Sequence, residues 1–231
     1  MTRQAGVGTP HLILASGSPR RRALLTDLGA VYDVRVADVD ETPRPDEKPA
    51  DLAARLAASK AAAVALRQGE VDALVIAADT VVALGDDVLG KPVDDADATA
   101  MLVKLRARPH EVITAVCVRE CGTGREVPAV NTTTVVMRDY SDAEIAAYVA
   151  SGDPHDKAGA YAIQHPVFAP AATIDGCLST VVGLPLGDLT DLLAAFGVRL
   201  PCAVVEVCER QTHFPCCRRN SGGVVDRSTG A

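Results

Sequence analysis

The sequence predicts an α/β protein: a single domain with a mixed, twisted central sheet flanked by helices, followed by a C-terminal extension. Three observations lead there. Hydrophobic residues make up 48% of the 231 and aromatics only 3%, with no Trp, so the core must be built from Ala, Val and Leu, as when helices pack on a sheet. Strand-like and helix-like apolar segments both occur but do not alternate strictly, which points to a sheet with parallel and antiparallel pairs. At Arg199 the character changes: the segment from there onward has five Arg against three acids and holds four of the seven Cys, on a chain of net charge −7. The predicted domain therefore spans residues 11–198, and 199–231 form an extension in which weak periodicity predicts little regular structure.

The first element is a strand over residues 12–15, LILA, followed by the polar turn Ser16-Gly17-Ser18. Ser18 suits an N-cap and Pro19 the first helical position, so a helix starts there with its free N–H groups and dipole offered to an anion. A second strand is expected over 32–37, then an acidic, proline-rich loop over 38–49. A helix follows over 51–68, with Leu52, Leu56, Ala63 and Leu66 near its buried face and Lys60 within that apolar sector. Such a lysine either snorkels from the edge of the core or points into a cleft.

Residues 73–84, ALVIAADTVVAL, read as a strand with Asp79 and Thr80 in its middle. Neighbouring residues face opposite sides of a regular strand, so the pair predicts that the strand ends or bulges there. A turn at 85–87 leads to Gly90-Lys91-Pro92, and Asp94 with Asp97 caps a helix reaching about Arg108. Residues 111–121 and 125–138 form a hairpin about Gly122-Thr123-Gly124. Ser141 and Glu144 make a capping box for a helix over 142–150. Beyond a polar loop lie a strand near 178–182 and a helix from about Leu186 to Phe196.

The net negative charge argues against a protein that holds nucleic acid by broad phosphate neutralisation, but a few focused cations can still hold a small anion. The first ten residues carry no apolar leader and no run is long enough to span a bilayer, so the expectation is a soluble, cytoplasmic protein with reduced cysteines. Asp79 is the strongest single clue to chemistry, because a carboxylate in an apolar strand has lost water and needs a cation, a metal or donors in return. Asp38, Asp40 and Glu41 form a second acidic site on the loop after the second strand. Asp156, Lys157 and Gln164 stand in a loop of mixed polarity. Cys202, Cys208, His213, Cys216 and Cys217 lack a C-x-x-C pair, which disfavours zinc.

Together these segments resemble the Maf family of nucleoside triphosphate pyrophosphatases. The matching stretches are LILASGSPRRRALL (12–25), VDET (39–42), LAASKA around Lys60, AADTVV (77–82), LGKP (89–92), ITAV (113–116), DKAGAYAIQ (156–164) and VVGLPL (181–186). The resemblance implies a Maf- and ITPase-like fold and hydrolysis between the α- and β-phosphates with a divalent cation, Mg2+ or Mn2+, releasing the monophosphate and pyrophosphate. It implies Asp79 as base or metal-associated carboxylate, Glu41 as metal ligand, and Ser18, Arg21, Lys60 and Lys91 around the triphosphate. Members with SPRR, ADT and a Gln after Ala-Tyr are similar to the dTTP/UTP type, which marks Arg20, Thr80 and Gln164 for the base and places Asp156 and Lys157 at the substrate. Two departures stand beside the motif, His165-Pro166 after Gln164 and Ala162 before Ile163, where Gly is common. The resemblance further implies a homodimer, no nucleic-acid or membrane partner, and as an alternative role a nucleotide-binding regulator of cell division with secondary catalysis.

Overall fold

In a computed structural model of the chain, residues 10–67, 71–219 and, for the backbone, 224–226 are described. Eight strands form one mixed sheet in the order β2-β1-β3-β5-β6-β7-β8, with β4 paired to the far end of β3. In chain order the elements are β1 (His11–Leu14), α1 (Pro19–Asp27), β2 (Tyr32–Val34), α2 (Pro49–Leu66), β3 (Ala73–Leu84), β4 (Asp87–Leu89), α3 (Asp95–Leu105), β5 (Pro109–Glu120), β6 (Glu126–Met137), α4 (Asp142–Ala150), β7 (Ala171–Asp175), α5 (Leu178–Val182), α6 (Leu186–Ala195), α7 (Val204–Thr212) and β8 (Val224–Asp226). β1 is parallel to β2 and β3, and the remaining pairs are antiparallel.

Both faces of the sheet are covered, and the two-residue period of β3 divides the core. Leu74, Ile76, Ala78 and Val82 pack on one side with Leu24 and Leu25 of α1, Leu102 of α3 and Leu189 of α6, while Val75, Ala77, Val81 and Ala83 pack on the other with Leu52, Leu56 and Ala61 of α2. The segment after residue 198 contributes to this body. α7 buries Val207 and Cys208 in the first of these clusters, and Cys202 N–H donates to Leu28 O at 3.3 Å.

Several elements differ from the sequence expectation for identifiable reasons. The strand expected over 178–182 is helix α5, closed by Gly183 in a left-handed conformation (φ 112°), and the strand lies earlier, at β7. Leu178, Ser179, Thr180 and Val182 are all buried, so their pattern carries no period that separates strand from helix. β3 neither ends nor bulges at Asp79-Thr80, since its register with β5 continues through Asp79↔Ala115 and Thr80↔Thr114. β2 stops at Val34 instead of 37 because β1 stops: the final rung is Arg35 N–H to Leu14 O. α2 begins two residues early with Pro49 at its start, and its buried stripe runs through Leu52, Ala53, Leu56, Ala57, Ala61 and Val64. Leu66 is 84% exposed, being rotated about 80° from Leu56 at 100° per residue. Gln68, the expected helix end, lies outside the described residues. α3 ends at Leu105 rather than near Arg108.

Candidate active site

β1 terminates at Leu14 while its parallel neighbour β3 runs on to Leu84, and Ala15 N–H makes the final bond between them, to Ile76 O at 2.8 Å. Beyond that point the edge of β3 opens until β4 joins at Val82. The carboxyl end of a parallel strand beside such a gap is where open α/β sheets bind ligands. Here a cavity of about 740 Å³ is lined by residues of every marked segment except 113–116, Ser18, Arg20, Arg21, Glu41, Lys60, Asp79, Thr80, Lys91, Asp156, Lys157 and Gln164 among them. Because the gap uncovers the strand edge, Asp79 on the α2 side and Thr80 on the α1 side reach the same space without a bulge.

Asp79 is 8% exposed, and Lys60 projects from α2 to meet it: Nζ lies 2.6 Å from Asp79 Oδ1 and 2.6 Å from Glu41 Oε1. The lysine therefore points into the cleft. Burial raises the Asp79 pKa above the usual carboxylate range, with Lys60 and then Arg21 opposing the shift. Glu41 is delivered by the acidic loop, whose shape comes from neighbours absent from the sequence-based site. Arg55 grips Glu47 through Nε and a second nitrogen at 2.6 and 2.8 Å and donates to Thr42 O at 3.0 Å. Asp40 accepts from Thr42 N–H at 2.9 Å, so it shapes a turn. The Arg55 hydrogen bonds hold Glu47 down to about 2.

On the other side, Ser18 caps α1, its Oγ accepting from Arg21 N–H at 3.4 Å. Arg21 is largely committed to protein acceptors: Nε donates to Gly183 O at 2.7 Å, and the terminal nitrogens to Ser16 Oγ at 3.2 Å and Thr80 Oγ1 at 3.0 Å. Burial lowers its pKa while the Asp79 charge raises it. Thr80 is also constrained. Thr114 Oγ1 donates its one proton to Thr180 O at 2.8 Å, so in the 2.9 Å pair with Thr80 it is Thr80 that donates. With its proton used, Thr80 can only accept from a ligand.

Arg20 lies 3.3 Å from Asp156, and Lys157 spends its ammonium on Asp153 O, Asp153 Oδ1 and Asp156 Oδ1 at 2.6, 3.1 and 2.5 Å. Lys157 thus has no N–H left for a substrate and acts by fixing Asp156, which in turn fixes Arg20. Burial raises the Asp156 pKa, but Lys157 and Arg20 outweigh it and the net shift is downward. Lys91 is exposed on the rim, on a turn tied to the 157–160 loop by Gly159 N–H to Gly90 O at 3.0 Å. Gly159 has φ 69°, and a Cβ there would meet Val82 Cγ1 at 3.0 Å, so only glycine fits easily. Gln164 is exposed and gives one amide N–H to Gln211 O of α7 at 2.6 Å, leaving its oxygen and a second N–H for the cleft.

Ser16, Arg55, Thr114 and Gly183, which the sequence did not mark, hold the side chains and the loop of the cleft in place. Thr114 carries the same signal as Asp79, a polar residue inside an apolar strand. Gly183 carries none, because only the fold brings its carbonyl to Arg21. Among the described residues, no group of three or more His, Cys, Asp and Glu is placed to hold a metal ion; the carboxylates lining the cleft are Glu41, Asp79 and Asp156, the last paired with Arg20 and Lys157.

A family model described as "Maf-like protein" matches residues 11–196. A dTTP/UTP pyrophosphatase of Anaeromyxobacter dehalogenans (strain 2CP-C) is 50% identical over 194 residues, covering 83% of this chain and 97% of that protein. Proteins with the same name from Hahella chejuensis and Geobacter sulfurreducens are 44% and 45% identical, over 84% and 81% of this chain and 96% and 97% of their own.

Proposed function

This chain belongs to the Maf family, and on that premise we propose that it hydrolyses nucleoside triphosphates, dTTP and UTP above all, to the nucleoside monophosphate and pyrophosphate. The observation that carries the reading is the Lys60 ammonium held 2.6 Å from both Asp79 and Glu41 in a cleft of nucleotide size. Burial disfavours the charged form of Asp79, so this carboxylate takes a proton from an attacking water more readily than an exposed one would. Lys60 keeps the carboxylate oriented and, with Lys91, offsets charge gathering on the phosphoryl oxygens. Ser18 and the first amides of α1 hold a phosphate. Arg21 holds the frame by joining α1, β3 and the end of α5.

Glu41 and Asp79 fit a hard divalent cation, Mg2+ or Mn2+, which commonly takes one or two carboxylates and completes its shell with substrate oxygens and water. When bound, the cation supplies charge neutralisation at the phosphates and a more acidic water. At the base, a uracil or thymine edge offers two carbonyls and one N–H. Thr80 can only accept, which suits the N–H; Arg20 and the free N–H of Gln164 suit the carbonyls. The catalytic unit in this reading spans residues 11–198, and the active form is a homodimer without nucleic-acid partner. No helix among the described residues is long and apolar enough to cross a membrane.

The test is pyrophosphate release from dTTP, UTP, CTP and 7-methyl-GTP with Mg2+ or Mn2+. Turnover greatest with dTTP and UTP, and lowered about 10³-fold in Asp79→Asn, is expected. Tight dTTP binding without turnover by the unaltered protein would overturn the reading in favour of a nucleotide-binding regulator.

A further inference from the structure

Four of the seven thiols meet at one place away from the cleft. Cys177 precedes α5, Cys208 sits on the inner side of α7, and Cys216 and Cys217 follow it; all four line a second cavity of about 190 Å³. All are free thiols, with Cys177, Cys208 and Cys216 buried and Cys217 half-buried. The body contributes one sulfur and the C-terminal segment three, so the cluster exists only because α7 docks.

The sulfurs are not equivalent. Cys177 Sγ lies 3.0 Å from Ser179 Oγ, and it also accepts a hydrogen bond from the Cys217 thiol, while the Thr180 hydroxyl is spent on Asn131 Oδ1 at 2.8 Å. Two donors converging on one sulfur stabilise a thiolate. The Cys217 bond, followed by the one from Ser179, lowers the Cys177 pKa against the opposing effect of burial, while Cys217, as the donor, is pushed up. Cys208, which is in contact with Cys216, is pushed up to about 12 by burial first. One sulfur is therefore prepared as a nucleophile, and the thiol in contact with it is Cys217.

The geometry points to a dithiol site, Cys177 with Cys217, that a hydroperoxide converts to an intramolecular disulfide. The Cys177 thiolate attacks one oxygen of hydrogen peroxide, the O–O bond breaks, and hydroxide leaves and is protonated to water, giving a sulfenic acid at Cys177. The Cys217 sulfur then attacks that sulfur. The S–S bond forms, the S–O bond breaks, and the departing hydroxide leaves as a second water with the Cys217 proton. Two thiols are oxidised and one peroxide is reduced to two waters. The cavity admits a molecule as small as peroxide. The product fastens the C-terminal segment to α5, whose Thr180 and Gly183 carbonyls hold Thr114 and Arg21 at the cleft.

Peptide mapping of the reduced full-length protein tests this. Trypsin leaves Cys177 alone in peptide 158–199, places Cys202 and Cys208 in 200–210, and Cys216 and Cys217 in 211–218. After limited hydrogen peroxide, alkylation of remaining thiols and digestion without reductant, 158–199 is expected joined to 211–218, lighter by two hydrogens and separated by dithiothreitol. The joined peptide should vanish in Cys177→Ser and Cys217→Ser and persist in Cys208→Ser and Cys216→Ser, each variant first checked by its melting curve. Cys177 should also react at least about ten-fold faster than exposed Cys202. A link between 200–210 and 211–218, a link that survives Cys217→Ser, links only between molecules, or oxidation of Cys177 no faster than Cys202 would each overturn the assignment. Should Cys217→Ser melt early, Cys217→Ala gives the same reading.

Discussion

Asp79 concentrates the energetics of this protein in one carboxylate. Its pKa is raised in the folded state, so the folded state's preference for the protonated form is fully present below the ordinary carboxylate pKa and is lost as pH rises through the raised one. At neutral pH the ionised group therefore costs stability. Asp79→Asn is expected to leave Tm at pH 7 unchanged or higher while lowering kcat/KM by about 10³-fold; a Tm several degrees lower would contradict the account. In the unaltered protein kcat/KM should fall as pH drops through the raised Asp79 pKa, giving an acid limb above the usual carboxylate range in a pH–rate profile. Lys60→Ala, measured with dTTP, should cost about 2–4 kcal/mol of transition-state stabilisation, or roughly 30- to 1,000-fold in kcat/KM. Asp79, Lys60 and Glu41 could be marked from sequence because each is chemically out of place or carried by a motif. The commitments of Lys157 and Thr80 could not, since counting their free protons requires knowing who already accepts them.

Elements position these residues, and the acidic loop is the clearest example. Its brace, Arg55 on Glu47 and Thr42 O, presents Glu41 to Lys60. Arg55→Ala is expected to raise KM for the triphosphate several-fold with only a small change in Tm, as read by steady-state kinetics and thermal melting. The Glu47 pKa is depressed to about 2, so the brace's contribution is present above the ordinary carboxylate pKa and is lost only as pH falls toward 2. The α1 cap allows a second test: Ser18→Ala should lower stability by about 1 kcal/mol. Caps, turns and the alternating strands could be read from sequence because their physics is local. α5 could not, because a segment buried on every side shows no period, and the continuity of β3 through Asp79-Thr80 depends on a neighbouring strand that stops short.

The whole molecule is held together by a segment that composition alone sets apart. α7 buries Val207 completely, reaches Gln164 through the Gln211 carbonyl, and places the Gln211 side chain on Asp27 of α1. Val207→Ala is expected to cost about 2 kcal/mol and lower Tm by roughly 4–8 °C; an unchanged melting curve would mean that the helix contributes nothing to the body. By itself the sequence determined the α/β class, most element positions, the capped start of α1 and the identity of the charged residues, because propensity, capping and two-residue or 3.6-residue periods act within a few positions of the chain. Tertiary structure alone decided that β1 stops short of β3 and so opens the cleft, that Lys60 bridges two carboxylates, that Gly183 anchors Arg21, and that Cys217 lies against Cys177. Those facts depend on which distant segments share a neighbourhood, and contact across the fold has no local signature in the order of residues.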